Sequence, residues 1–226
     1  MSPRRAKSGA APLNPSVIVE AALDLADAEG LTGVSMRSVG RQLGVEGMAL
    51  YNHIAGKQAL LDAMVDQVFA EISCPAVEGD WRHEMQVRHH SAREVLRRHR
   101  WAIGLMDSRE NPGPETLRHH DAVLGCLRHA GMSLALTGHA IAVIDAHLYG
   151  FMVQELSLPF EGQADLSPIA EPILAALPDD LRHFRDFTVK HAMRPGYRFA
   201  AEFDVGLELV LGGLQRMLEA EDDSPW

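Results

Sequence analysis

The chain is poor in cysteine and in the motifs of catalytic sites. Its 226 residues include two cysteines, Cys74 and Cys126, which stand far apart and in no metal-like pair. Such thiols are expected to behave as small apolar residues in a reduced, cytoplasmic setting. The sequence also has no GxSxG turn, glycine-rich phosphate loop or paired-carboxylate motif. We therefore expect no enzyme, and no cofactor is predicted.

Long apolar runs and strand-like alternation are missing as well. No apolar segment approaches the roughly 20 residues that cross a bilayer, and we expect neither a signal peptide nor a membrane partner. Apolar residues instead recur at helical spacing between breaks at glycine and proline. With 46% hydrophobic and 23% charged residues, the composition is that of an ordinary globular protein. The predicted fold class is all-α.

Acidic residues outnumber basic ones, which at first argues against a nucleic-acid partner. The formal net charge is −10. The excess is unevenly spread, because residues 1–57 hold 6 Lys and Arg against 5 Asp and Glu, whereas the remainder holds 15 against 26. An N-terminal domain without this acidic load can bind phosphates while the rest of the chain discourages non-specific association.

The segment 35–57 has the pattern of two short helices joined by a tight turn. Three apolar residues at helical spacing mark the first helix: Met36, Val39 and Leu43. Ser35 is placed to cap this helix, and Gly44 to end it in a left-handed conformation. Leu50 and Ile54, four residues apart, give the second helix a buried side. The pattern predicts a helix-turn-helix whose second helix, around residues 47–53, can enter the major groove of DNA.

The opposite side of these helices carries residue types suited to DNA. The candidates for phosphate contacts are Tyr51, His53 and Lys57. The candidates for base edges are Gly47, Met48 and Asn52, and Arg37 could reach either a base or a phosphate. Ser35, Met36 and Ala49 complete the predicted DNA-binding set. Asparagine can hydrogen-bond adenine, and methionine can contact a thymine methyl group. The alternative is a pair of surface helices whose polar face is exposed to water and binds no DNA.

These residues resemble the TetR family of bacterial regulators, and especially its tetracycline-repressor branch. The matching positions are Ala21-Ala22-Leu23, Gly30-Leu31, Ser35-Met36-Arg37, Leu43-Gly44-Val45, Leu50-Tyr51-Asn52-His53 and Lys57-Gln58-Ala59-Leu60-Leu61. The resemblance implies an all-helical homodimer that binds a palindromic operator and releases it when a small molecule fills the C-terminal domain. Positions 47–49 and 52 differ from the tetracycline repressor, so its operator specificity is not transferred.

The implied organisation is an N-terminal three-helix helix-turn-helix domain followed by a larger helical domain for ligand binding and dimerisation. The predicted segments are a disordered basic arm (1–12), the helix-turn-helix domain (13–57), a connecting helix (58–73) and the larger domain (74–226). The arm is either a solvated tail or an additional DNA contact.

An apolar chamber for a drug-sized ligand is expected in the larger domain. Methionine, histidine and aromatic residues share helix faces there, and the candidate pocket residues are Met85, His89, Trp101, Leu105, Met106, Val143, His147 and Phe151. Plain core packing is the alternative for such stripes. Met106 stands where the tetracycline repressor has a histidine that binds the drug-chelated metal, so a metal–tetracycline inducer is not expected.

The last helix is expected to form the dimer interface together with the helix at 134–156. Three glycines, Gly206, Gly212 and Gly213, lie between the residues of its apolar stripe. Each costs about 1 kcal/mol relative to alanine in a helix, and close helix–helix approach would offset this cost. The predicted interface residues are Phe203, Gly206, Leu207, Val210 and Leu214. The alternative is that this stripe faces the core of its own chain.

Twelve histidines raise the alternative of a metal-sensing regulator. No HExxH, CxxC or other zinc-like spacing accompanies them, so no metal site is predicted. A DNA-binding protein without an effector is a further alternative. The favoured function is a repressor whose partners are a double-stranded DNA operator, a small-molecule effector and a second copy of the chain.

Overall fold

In the computed structural model of the chain, residues 12–106, 110–158 and 166–222 are described. Their regular elements are all helical, which confirms the all-α prediction. The α-helices in these ranges are α1 (Pro15–Glu29), α2 (Met36–Leu43), α3 (Gly47–Leu50), α4 (Lys57–Glu71), α5 (Trp81–Arg98), α6 (Pro114–His129), α7 (Leu134–Ser157), α8 (Ser167–Ala176), α9 (Arg182–Phe187) and α10 (Glu202–Asp222). Residues 1–11 of the predicted basic arm lie outside the described residues.

The chain divides into two compact units, residues 1–137 and 138–226. The first contains α1 to α6 and the first turn of α7, so the predicted boundaries at residues 57 and 73 both fall inside it. The second contains the rest of α7 and α8 to α10. Each unit is described separately below.

Helix α1 begins as the sequence indicates. Asn14 Oδ1 accepts a hydrogen bond from Val17 N at 3.0 Å, and Pro15 occupies the first turn, where its missing N–H costs nothing. Ile18 and Ala22 are fully buried on the side that packs against α2 and α4. This burial anchors α1 to the connecting helix.

Helix α4 holds the beginning of α6. Gly113 precedes α6 and offers no side chain to cap it. Asp66 of α4 supplies the cap, because its Oδ1 accepts hydrogen bonds from Thr116 N at 2.8 Å and Thr116 Oγ1 at 2.9 Å. A Cβ atom at Gly113 would overlap the Asp66 carboxylate, so glycine leaves the room that this cap needs. The connecting helix α4 is thereby hydrogen-bonded to the start of α6.

A neutral histidine is buried between α5 and α6. Arg88 Nε donates a hydrogen bond to His119 Nε2 at 2.9 Å, and both side chains are buried. Burial, followed by the charges of Arg88 and His120, lowers the pKa of His119 to about 3. Since the arginine must donate, the Nε2 atom of His119 carries a lone pair, and the ring is neutral.

The second unit has an aromatic core. The ring of Phe151 stacks on that of Phe199, with centroids 4.9 Å apart, and meets that of Phe203 edge-on at 5.1 Å. The His147 ring lies 5.2 Å from Phe203, and burial lowers the pKa of His147. A Cβ atom at Gly206 would lie 2.5 Å from His147 Nε2. Gly206 of α10 therefore leaves room for the imidazole ring of His147 in α7.

Helix α7 is long and apolar enough to cross a membrane, by length and composition alone. This corrects the expectation that no segment approaches that length. Core helices of soluble proteins pass the same test, so one such helix in the described residues is weak evidence. The exposed positions of α7 include small and apolar residues: Ala142, Val143, Ala146, Gly150 and Val153.

Replacing Gly206 with alanine should destabilise the second unit. The new methyl group would clash with His147, and such overpacking typically costs about 1–3 kcal/mol of the free energy of unfolding. Urea unfolding measures this loss. Gly138→Ala is the matched control, because a Cβ there meets nothing within 4 Å and should stabilise the helix by up to about 1 kcal/mol. Equal effects of the two substitutions would contradict the packing described.

The buried His119 should make the protein less stable in acid. An unfolded histidine, with a pKa of 6.5, takes up a proton that folded His119, with a pKa of about 3, does not. The free energy of unfolding should therefore fall below pH 6.5, by about 1.4 kcal/mol per pH unit for this group. His119→Gln retains an acceptor for Arg88 and should remove this contribution. Urea unfolding between pH 5.0 and 6.5 tests it, and identical slopes would count against it.

Candidate nucleic-acid interface

Helix α2 is fixed at both ends by its own residues. Ser38 N donates to Ser35 Oγ at 3.1 Å, and Ser35 N donates to Ser38 Oγ at 2.9 Å. This is a reciprocal cap in which serine takes the place of the usual glutamate or glutamine. Gly44, with φ 69° and ψ 27°, ends the helix in the left-handed conformation. The predicted cap and stop are confirmed.

Two glycines allow α2 and α3 to cross with their backbones in contact. A Cβ atom on Gly40 would lie 2.9 Å from both Gly47 N and Val45 O, and one on Gly47 would lie 3.1 Å from Met36 O. Gly47 was predicted to lie near the base edges, and in the structure it packs against the backbone of α2. The importance of Gly40 was missed, although a glycine inside an eight-residue helix was the signal for it.

The helix predicted to read DNA is shorter than expected. Regular α-helix covers Gly47–Leu50, after which the chain continues in a tighter turn. His53 N and Ile54 N both donate to Leu50 O, at 2.9 and 3.0 Å. Leu50 and Ile54 are buried as predicted. The turn therefore keeps the intervening residues on the outer surface.

Most of the predicted DNA-contact side chains are exposed. The exposed members of the set are Arg37, Met48, Tyr51, Asn52, His53 and Lys57. Met48 is 75% exposed, so this large apolar side chain contributes little to the core of its own chain. Ser35 is engaged in the cap and Ala49 is half-buried. Met36 is only 8% exposed and belongs to the core, which corrects its assignment to the contact surface.

Hydrogen-bond donors gather where α3 ends and α4 begins. A Cβ atom at Gly56 would lie 3.8 Å from Tyr51 Cε1, so the tyrosine ring sits beside this glycine. Gly56 has φ 111°, which favours glycine, and it precedes Lys57 at the start of α4. One short turn thus presents a phenol, the His53 imidazole and an ammonium group, which together suit phosphate oxygens.

One predicted ligand-pocket residue, Met106, lines a cavity of about 230 Å³ in the first unit. The lining residues are Asp62, Val65, Met106, Pro112, Gly113, Thr116, Leu117 and His120. Met85 and His89 lie in the buried core of α5, and His89 Nδ1 is 3.1 Å from Met85 O. Leu105 is half-buried. The α4 and α6 members of the lining were missed by the sequence prediction.

The remaining predicted pocket residues have other surroundings. Trp101 Nε1 donates a hydrogen bond to Asp27 Oδ1 of α1 at 2.7 Å. Val143 is exposed on α7. His147 and Phe151 belong to the aromatic core of the second unit. The structure therefore gives Trp101 a hydrogen bond to α1 and gives His147 and Phe151 packing roles, whereas Val143 points to the surface.

The stripe predicted as a dimer interface faces the core of its own unit. Phe203, Leu207 and Leu214 are 0%, 2% and 3% exposed, so they offer no area to a partner. Gly206 contacts His147, and Val210 is half-buried. This corrects the predicted set in favour of the alternative. The outward side of α10 instead carries three exposed apolar residues: Val205, Leu209 and Met217.

Among the described residues, no group of three histidine, cysteine, aspartate or glutamate side chains could hold a metal ion. Two histidines have other environments: the buried His119 accepts a hydrogen bond from Arg88, and the half-buried His147 packs against Phe203. The metal-sensing alternative gains no support from this part of the chain.

A capped helix, a close glycine crossing and an exposed short helix with clustered donors define a helix-turn-helix DNA-binding protein. The chain matches the family model for bacterial regulatory proteins of the tetR family over residues 18–64. It also matches the tetracyclin repressor-like C-terminal domain over residues 75–218. The chain belongs to the TetR family and is a DNA-binding transcriptional regulator.

Individual relatives support the same assignment. The chain is 37% identical over 150 residues to the HTH-type transcriptional repressor DrrR1 of Streptomyces coeruleorubidus, an alignment that covers 65% of this chain and 56% of that protein. It is 30% identical over 175 residues to the class A tetracycline repressor from transposon 1721 in Escherichia coli, covering 73% and 81%. The structure of Streptomyces coelicolor ActR in complex with actinorhodin superposes with a TM-score of 0.74 at 26% identity, covering 91% of this chain and 96% of ActR.

Proposed function

We propose that the chain is a cytoplasmic repressor that binds a palindromic operator as a homodimer and leaves it when a small molecule binds. The observation that carries this proposal is the exposed turn of donors at Tyr51, His53 and Lys57 beside the short helix α3. Two of the relatives are repressors by name, and ActR is a family member that holds a small molecule, actinorhodin.

The helix-turn-helix domain, residues 13–57, is called the reading head below. Different side chains in it contact the phosphates and the base edges. Tyr51, His53 and Lys57 hold phosphates and fix the register of the protein on DNA. Asn52 and Met48 meet base edges, by an amide–adenine contact and an apolar contact with thymine. Half-sites about one helical turn apart then match the two heads of a dimer.

Dimerisation uses the outward sides of α7 and α10, both of which lie in the second unit from residue 138 onward. Leu209 is 72% exposed, Val205 55% and Val153 53%. Small residues on α7, among them Ala146 and Gly150, let another helix approach closely. Apolar area of this kind gains free energy when a second copy covers it.

An effector can act through the cavity beneath α4. Its volume of about 230 Å³ is smaller than the roughly 300–1,000 Å³ typical of ligand pockets. A drug-sized ligand must therefore displace Met106 or move α4 away from α6. Either change strains the Asp66–Thr116 hydrogen bonds. Because α4 begins at Lys57, a movement of α4 also moves the reading head. Effector and operator then compete through one conformational equilibrium.

The direct test is selection of DNA fragments from a random pool by the purified protein at about 150 mM salt. A palindrome with half-sites about one turn apart is expected. The same fragment then serves as the probe for release by candidate small molecules. Enrichment of no motif at all would argue against an operator-binding regulator, whereas a single half-site would argue against the dimer.

Lys57→Ala should weaken binding to every DNA sequence alike. Each lost phosphate contact should lower the slope of log affinity against log salt by about one. Asn52→Ala should instead change the preference at one base position, at a cost of about 1–3 kcal/mol. Titrations at several salt concentrations with the selected operator and a scrambled duplex measure both effects. Lys190→Ala, in the exposed ion pair with Asp186, is the control and should change neither.

A charge on the outward side of α10 should separate the two protomers. Leu209→Glu should leave helix content unchanged but convert the dimer to a monomer in sedimentation velocity, because an uncompensated carboxylate would be buried in the interface. Operator affinity should fall by at least about a hundredfold as the second half-site contact is lost. Leu124→Glu, at an exposed apolar position of α6, is the control and should remain dimeric. A dimeric Leu209→Glu protein would rule out this interface.

A further inference from the structure

The second unit contains a basic segment within an otherwise acidic part of the chain. Residues 138–226 hold 6 Lys and Arg against 15 Asp and Glu. All but one of these basic residues lie between positions 182 and 198, with Asp186 as the single acidic residue among them: Arg182, Arg185, Lys190, Arg194 and Arg198. Positive charge concentrated in this way favours a negatively charged partner.

Two arginines of the basic segment are not used by the fold. Arg185 donates hydrogen bonds to two backbone carbonyl groups, at 3.2 and 3.3 Å, and Lys190 forms an ion pair with Asp186 at 2.9 Å. In the part of the chain that the structure describes, the guanidinium groups of Arg194 and Arg198 form no hydrogen bond or ion pair. Both side chains are exposed, so their donors are open to a ligand.

These two arginines line the same cavity, which has a volume of about 230 Å³. His191, Tyr197 and Glu202 contribute to the lining as well. The volume is below the roughly 300–1,000 Å³ typical of pockets for drug-sized ligands. A molecule with a single ring therefore suits the cavity better than one with several rings.

Aromatic rings supply a flat surface in this cavity. The His191 ring meets the Tyr197 ring at 64°, with centroids 5.0 Å apart. His191 belongs to a π-helical turn, Thr188–Ala192, in which Met193 N donates to Thr188 O at 2.9 Å. Such turns are frequent at functional sites. A third ring can pack against Tyr197 or His191 by stacking or by an edge-to-face contact.

The charges of the cavity match a ligand with one negative charge. Glu202 Oε1 lies 3.8 Å from His191 Nε2. Burial, followed by the charge of Glu202, raises the pKa of Tyr197, so its phenol stays neutral. Two guanidinium groups and one carboxylate leave an excess of one positive charge. A phosphate group, with about two negative charges at neutral pH, would be repelled more strongly by Glu202 than a carboxylate would.

We propose that this cavity binds a small aromatic carboxylate, whose charged group is held by Arg194 and Arg198 and whose ring packs against Tyr197. Guanidinium groups present parallel N–H donors that fit the two oxygens of a carboxylate. The site goes beyond the proposed function, because its lining residues all belong to the second unit and none is shared with the cavity lined by Met106. It does not depend on DNA binding.

Calorimetric titration of the full chain with benzoate at about 150 mM salt tests for the site. We expect saturable binding with a dissociation constant below about 1 mM, a range open to so small a ligand. Phenol keeps the ring without the charge and should bind about tenfold more weakly or worse. Cyclohexanecarboxylate keeps the charge without the flat ring and should bind about threefold more weakly or worse. Equal binding of either compound, or no saturable binding of benzoate, would overturn the proposal.

The ring resonances of Tyr197 locate the bound benzoate. In the full chain with ¹³C-labelled tyrosine, assigned with Tyr197→Phe, these resonances should shift along the same binding curve as the heat. Tyr51 of the helix-turn-helix domain is the internal control and should not shift. Heat of binding without a shift of Tyr197 would place benzoate at a different site and would also overturn the proposal.

Matched arginine variants separate the cavity from the general charge of the basic segment. Arg194→Gln and Arg198→Gln should each weaken benzoate binding about tenfold or more, because a charge-assisted contact is lost. Arg182→Gln removes an exposed positive charge of the same segment outside the cavity and should change the affinity less than about twofold. All three side chains are exposed, so helix content and melting temperature should stay the same. Equal losses in the three variants would show a non-specific attraction instead of this site.

Glu202→Gln tests the charge balance in the opposite direction. Removing this carboxylate should strengthen benzoate binding about threefold and strengthen binding of inorganic phosphate by more, since phosphate carries the larger charge. Glu219→Gln, at an exposed position of α10 outside the cavity, is the control and should change neither affinity. Unchanged or weaker benzoate binding in Glu202→Gln would overturn the charge balance on which the choice of a carboxylate rests. Phosphate binding that exceeds benzoate binding in the native chain would overturn that choice as well.

Discussion

The proposed DNA-binding surface depends on one contact, the approach of the α2 and α3 backbones at Gly40 and Gly47. This contact brings the start of α3 against Met36 O and sets the direction in which the short helix leaves the turn. With only four residues in regular helix, α3 has little stability of its own. The glycine crossing and the buried Leu50 therefore fix the position of α3. The positions of the exposed donors depend on this packing.

The connecting helix α4 is held by polar groups at two levels along its length. Asp66 accepts from the first turn of α6, and Glu71 accepts from Arg98 at the end of α5. Both contacts have an ionised carboxylate as the acceptor and are directional. A displacement of α4 away from α5 or α6 must therefore lengthen or break these hydrogen bonds.

The helix-turn-helix could be predicted because its signals are local. Ser35, Gly44 and the pair Leu50–Ile54 act within a few residues of themselves, and the structure bears out all of them. The role of Trp101 could not be predicted, since its partner Asp27 lies 74 residues away in the sequence. The same limit explains α10, where the most regular apolar stripe packs inward, and only tertiary contacts reveal that Leu209 lies outside. Periodicity identified the helices, whereas the neighbours of each face had to come from the fold.

The exposed apolar residues of α7 and α10 also bear on how the protein behaves when it is scarce. A side chain such as Leu209, left in water, forgoes a contribution of about 1.5–3 kcal/mol that burial would bring. If a second copy supplies that burial, the free energy of folding includes a term that depends on protomer concentration. Dilution would then lower both assembly and stability, so the number of copies in a cell would set the fraction of chains that remain folded. The amount of active regulator would then depend on its own concentration as well as on that of its effector.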